Sequence, residues 1–286
     1  MDGRIAGITL RRAWRSVADL VLPRVCVVCG RQLLLSEEHI CTVCEAGLPR
    51  TFFSSLRDNP MARAFNALVD RELGWAQGES KAPCPELDAP SGARSVPATQ
   101  PYGYATALLF YRGDSPYKNI PMGLKYGRGL GEGRHFARML GRDLAASPLF
   151  ADVDAVIPVP LHRARRWRRG YNQAEVVARG IAEGVSQVAS GNGPLVFTGI
   201  LKRVRRTKTQ TRLHSGDRYA NVKSAFVADA RKLKAVSHIL LVDDVFTTGA
   251  TLLACERALR AGLAEVFGPD AASKVRISVA TLSFVG

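Results

Sequence analysis

Apolar and polar positions along the 286-residue chain change period several times, and each change marks an element. Ile5, Ile8, Leu10, Trp14, Val17 and Leu20–Leu22 recur at helical spacing, so a helix is expected over 5–22, stopped by Pro23. Phe65, Leu68, Val69 and Leu73 predict a second helix over 60–75. Residues 77–101 are rich in Pro, Ala, Gly and Ser and have no period, which marks a linker. Beyond Pro101 strands and helices alternate. Strands are expected at Tyr104–Tyr111, Val153–Pro158, Leu195–Leu201, His238–Val242 and Arg276–Phe284. Helices are expected at Leu130–Ala146, Gln173–Val188 and Ala250–Ala261.

Alternating β and α segments predict an α/β fold with a mostly parallel sheet flanked by helices. Ligands in such folds bind beyond the carboxyl ends of the strands. The expected division is an N-terminal module over 1–76, a linker over 77–101 and an α/β domain over 102–286. Hydrophobic content of 47% supports a packed core, and no apolar run is long enough to span a membrane. The basic N-terminal stretch is broken by Arg11, Arg12, Arg15 and Asp19, so it lacks the core of a signal peptide, and a cytoplasmic location is expected.

Charge sharpens the picture. The net charge is +15, and residues 161–234, with 17 Lys and Arg against 4 Asp and Glu, supply +13 of it. The excess gathers in two runs, His162–Arg169 and Lys202–Lys208. Solvated surface is the ordinary meaning of such runs. Two of them following strand-like segments suggest an anion site built from loops.

Cys26, Cys29, Cys41 and Cys44 form two CxxC pairs eleven residues apart, with Gly30 directly after the first. Two such knuckles present the four soft ligands of a tetrahedral Zn²⁺ site with no open position, hence a structural metal. A disulfide fits a reducing compartment poorly, and a redox motif needs one CxxC in a βαβ setting. His39 is read as a bystander and Cys255 as a small core residue.

The sharpest signal is the run from Ile239 to Thr251. Four apolar residues make a buried strand, Asp243 and Asp244 stand at its carboxyl end, and Thr247, Thr248, Gly249 and Thr251 form a loop that opens the next helix. A helix N-terminus suits a phosphate, and the glycine permits close backbone approach. Paired carboxylates accept hydrogen bonds from a vicinal diol. A ribose 5-phosphate answers both ends.

The stretch Leu240–Thr251 resembles the phosphoribosyl-pyrophosphate (PRPP) motif of type I phosphoribosyltransferases. The whole chain resembles the ComF family, which joins a zinc-ribbon segment to a phosphoribosyltransferase domain. The family pattern recurs at Leu124–Tyr126, Ile157–His162, Arg169–Gln173, Arg206–Gln210, Arg218–Asn221 and Ala225–Phe226. One departure is that Cys84 stands alone in the linker, where a second cysteine pair would make a second zinc site.

The resemblance implies that Asp243 and Asp244 hold the ribose hydroxyls and that Thr247, Thr248, Gly249, Ala250 and Thr251 cradle the 5′-phosphate. It implies that Arg163 and Arg165 neutralise the diphosphate, with Mg²⁺ accompanying the PRPP. It likens Lys202–Arg212, Lys208 included, to a lid that brings a cation onto the leaving group. Pyrophosphate would leave C1 through an oxocarbenium-like state stabilised electrostatically. The biological role implied is competence, with DNA uptake and processing. The alternative is a non-catalytic adaptor that binds single-stranded DNA and a helicase partner through its basic face. Tyr171, Asn172 and Gln173 either contact an acceptor or cap the following helix.

Overall fold

A computed structural model describes residues 23–76, 102–125, 129–161, 166–167, 169–188, 193–204 and 225–286. The helix expected at 5–22, the linker 77–101, and Arg163, Arg165 and Lys208 lie outside them.

Five strands form one wholly parallel sheet. They are β1 (Ala105–Phe110), β2 (Ala155–Pro158), β3 (Leu195–Val196), β6 (His238–Phe246) and β7 (Arg276–Phe284), in spatial order β1-β7-β6-β2-β3. A separate antiparallel pair joins β4 (Leu201–Arg203) to β5 (Phe226–Ala228). The helices are α1 (Thr42–Ala46), α2 (Pro60–Ala76), α3 (Asn119–Gly123), α4 (Leu130–Ala145), α5 (Gln173–Val188), α6 (Ala250–Phe267) and α7 (Pro269–Lys274).

Near-continuous apolar runs mark strands buried on both faces, and alternation decides which residue faces which layer. Ile239 and Leu241 of β6, with Ala155 and Ile157 of β2, point into a core shared with α2, α6 and the β4–β5 hairpin. Leu240, Val242 and Val156 point the other way, into a core shared with α4, α5 and the cysteine block. Phe136 and Leu140 of α4 and Val177 and Ile181 of α5 fill that second layer at helical spacing. Each such fully buried side chain contributes roughly 1.5–3 kcal/mol.

Three sequence expectations change. The strand expected at Leu195–Leu201 is two strands in two sheets. The chain turns away at Gly199, whose φ is +88°, so β3 pairs with β2 while β4 begins the hairpin. The strand expected to end at Val242 runs on to Phe246, because Asp243, Val245 and Phe246 stay in register with Thr281, Ser283 and Phe284 of β7. The helix expected to end at Ala261 continues to Phe267, since Leu263 keeps its apolar stripe buried.

From β2 the chain moves to β3 on one side; from β6 it moves to β7 on the other. The crevice between the carboxyl ends of β2 and β6 is therefore the point where strand order reverses, the favoured ligand position of a parallel α/β sheet.

Candidate functional site

Both arms of that crevice carry the polar residues singled out in the sequence. On β6 the Asp244 amide donates to Asp243 Oδ1 at 2.9 Å. Side chains alternate along the strand, so the two carboxylates face opposite layers. Asp244 takes the α3–α4 side, where Lys125 Nζ lies 3.6 Å from its Oδ2. Asp243 takes the side of α6, where its charge helps push the buried Cys255 thiol up, after burial itself. Burial, then the adjacent Asp244 charge, raises the Asp243 carboxyl well above its ordinary range. Both residues keep partial solvent exposure.

Thr247 and Thr248 follow, both exposed, and Gly249 caps the 18-residue α6. Gly249 has φ +71°, and a Cβ there would lie 2.8 Å from Leu68 and Phe246 side-chain atoms, so backbone geometry and packing both select glycine. The opening turn of α6, from Ala250 and Thr251, holds no acidic residue. Its amides and the positive end of the helix dipole suit an anion.

On the other arm, the Val159 amide donates to Val242 O at 2.8 Å, so the loop leaving β2 starts alongside the acid pair. Behind it lies a cleft of about 680 Å³, lined by Pro158, Pro160, Leu161, Asn172 and Glu175 and by the cations Arg166, Lys202 and Arg203. Tyr171 Oη donates to Leu124 O at 2.5 Å, and Asn172 Nδ2 donates to Val159 O at 2.9 Å. These two side chains tie the entry of α5 to Leu124 and to Val159. Gln173 is buried without a hydrogen-bond partner for its side-chain amide.

Lys125 is the residue for which sequence reasoning had no role. Its one signal was its place in the recurring Leu124–Tyr126 block, since nothing in local spacing links it to Asp244. Lys202 and Arg203 belonged to a basic run whose direction only the hairpin reveals.

The four cysteines converge at the edge of the second core. Their sulfurs all lie within 4.8 Å of one another, and the Cys29 and Cys41 sulfurs are 3.9 Å apart. Zn–S bonds of about 2.3 Å set tetrahedral sulfurs roughly 3.8 Å apart, so the set fits zinc. The Cys41 amide donates to Cys26 Sγ at 3.4 Å and the Cys44 amide to Cys41 Sγ at 3.5 Å, as in thiolate-holding knuckles. Burial alone would push the Cys26 thiol up, but amide donation from Cys29, Cys41 and Val28 outweighs it and brings it to about 6. Burial and the neighbouring thiols push Cys44 up. His39 packs edge-on against His135, 5.4 Å between ring centres, and is not among the converging ligands.

The chain is 40% identical over 108 residues to competence protein F of Haemophilus influenzae, a match that covers 37% of this chain and 44% of that one. It is 27% identical over 254 residues to DNA utilization protein YhgH of Salmonella typhi, covering 86% of this chain and 96% of that one. It is 30% identical over 105 residues to competence protein ComFC of Bacillus subtilis, covering 36% and 37%. No family model and no solved structure matches. No helix among the described residues is long and apolar enough to cross a membrane.

Proposed function

We propose that the chain is a ComF-type protein serving competence and DNA utilization, as its similarity to competence protein F and YhgH supports, and that its sheet-end crevice binds a ribose 5-phosphate, with PRPP as the preferred form. The observation that carries this reading is the order of groups along β6 and into α6. Two carboxylates lie at the switch point, and a Thr-Thr-Gly turn at a helix N-terminus follows within three residues. Asp243 and Asp244 would take the ribose hydroxyls, and the amides of Thr247–Thr251 the 5′-phosphate. Arg166, Lys202 and Arg203 line the cleft next to the loop that leaves β2, and would be the cations available to a diphosphate. Arg163, Arg165 and Lys208 are assigned to that diphosphate by the family resemblance alone. Mg²⁺, carried in with PRPP, would neutralise part of the departing charge. The chemistry this arrangement suits is loss of pyrophosphate from C1, stabilised by cations and needing no base at the sugar.

The test is calorimetry with PRPP and Mg²⁺ on the whole protein and on the Asp243→Asn/Asp244→Asn double variant. Binding by the wild type and none by the variant is expected. No heat from the wild type at millimolar PRPP would sink the proposal.

A second reading has its own support. Trp167 is 91% exposed and stands beside Arg166, the arrangement of a stacking platform for single-stranded nucleic acid. The +13 in residues 161–234 exceeds what a diphosphate requires. An adaptor of this kind would lose DNA affinity steeply with salt, and Trp167→Ala would weaken DNA binding while leaving PRPP binding intact.

A further inference from the structure

Lys125 and Asp244 meet across the switch point from segments far apart in sequence. Lys125 follows α3, and its amide is bonded to Met122 O at 2.9 Å. Its neighbour Leu124 is fully buried in the second core, so the backbone that carries Lys125 is anchored. The Leu124 carbonyl takes the Tyr171 hydroxyl. Tyr171 belongs to the loop between β2 and α5, and the next residue, Asn172, is bonded back to the end of β2. A continuous line of contacts therefore runs from the β2 loop through Tyr171, Leu124 and Lys125 to Asp244 on β6.

The charge arrangement gives the line a purpose. Asp243 and Asp244 are consecutive carboxylates in a partly enclosed crevice, beside a turn suited to a phosphate. Negative charge on this pair opposes an incoming phosphate dianion unless a cation offsets it, and the opposition grows as water is excluded. Lys125, with 36% of its side chain exposed against 18% for Asp244, is, among the described residues, the cation in ion-pair contact with Asp244.

We infer that Lys125 is a positioning residue that balances the acid pair, and that Tyr171, acting through the Leu124 carbonyl, sets Lys125 in place. The Tyr171–Asn172 segment that leads into α5 is thereby coupled to the ribose subsite through Leu124 and Lys125. This coupling rests on the ribose 5-phosphate reading.

The experiment titrates ribose 5-phosphate into the whole protein carrying Lys125→Gln, Lys125→Arg, Tyr171→Phe, Asp244→Asn and the pairs Lys125→Gln/Asp244→Asn and Tyr171→Phe/Lys125→Gln, with thermal midpoints as a folding control. Lys125→Gln is expected to weaken binding about tenfold and Tyr171→Phe about threefold, while Lys125→Arg restores most of the affinity. Tyr171→Phe should add nothing in the Lys125→Gln background, and Lys125→Gln nothing in the Asp244→Asn background, because each acts through the next. Wild-type binding with Lys125→Gln unchanged, or effects of Tyr171 and Lys125 that simply multiply, overturns the coupling alone. Absence of wild-type binding overturns the ribose reading and the coupling with it.

Discussion

His238 Nε2 lies 2.7 Å from Ser278 Oγ inside the sheet, with Asp152 2.6 Å from the other ring nitrogen. The line Ser278–His238–Asp152 has the spacing of a nucleophile, base and orienting acid. Its position denies it that role. Ser278 is fully buried, its oxygen also takes the Tyr104 amide proton at 3.0 Å, and the group sits at the amino ends of β6 and β7, opposite the crevice. It closes the bottom of the sheet instead, with Arg276 joining Asp152 at 3.3 Å and His238 stacked on Phe150.

This arrangement makes stability fall in acid. Burial lowers His238 below its ordinary value, and the bond from Asp152 offsets only part of that. The unfolded chain therefore binds the proton first. The contribution of the neutral ring is complete above about 6.5 and is lost as pH falls below it, by up to about 1.4 kcal/mol per pH unit. Thermal midpoints from pH 7.5 to 5 should decline, and His238→Gln should flatten the decline. Parallel profiles would refute the assignment.

Gly249 should not tolerate a side chain. Gly249→Ala sets a left-handed residue against Leu68 and Phe246 and costs roughly 1–3 kcal/mol. A lower thermal midpoint together with weaker phosphate binding is expected. Unchanged binding would show that the α6 opening is not the anion site.

Arg260 holds α6 to α7. It donates to Ala272 O and Val275 O, both at 2.6 Å, and to Glu256 Oε1 at 2.8 Å. Glu256 is buried, which pushes its carboxyl up, with Arg260 opposing. Arg260→Ala should cost about 3–5 kcal/mol, because it strands a buried acid and two carbonyls. Arg260→Ala/Glu256→Gln should recover part of the loss in chemical denaturation. No recovery would mean that the charge is immaterial.

Zinc should purify with the protein at one ion per chain and be lost in Cys26→Ser. Cys26 and Cys41 lie in the second core with Leu108 and Leu124, so metal loss loosens packing beyond the knuckles. A fall of at least about 5 °C in the thermal midpoint is expected on chelation, and re-addition of zinc should reverse it. A metal-free protein with an unchanged midpoint would contradict a structural zinc.

The cysteine spacing and the run from Ile239 to Thr251 were legible in the chain because each is local: a few adjacent residues carry the chemistry and the turn that presents it. The helices at Gln173–Val188 and Leu130–Ala145 were legible because one face of each repeats at helical period. Leu195–Leu201 misled because apolar content in a short run does not say which sheet receives it. The β4–β5 pair draws Leu201 into a second sheet, a contact between residues more than twenty apart.

The amino-acid sequence by itself determined the class of fold, the paired cysteine knuckles and the acid–threonine turn, all of which follow from short-range period and residue chemistry. Only the tertiary structure decided that β2 and β6 stand side by side, that Lys125 meets Asp244, and that Tyr171 reaches the Leu124 carbonyl. The reason is physical. Burial dictates which side of an element faces inward, whereas neighbours across a crevice are set by the order in which strands enter the sheet.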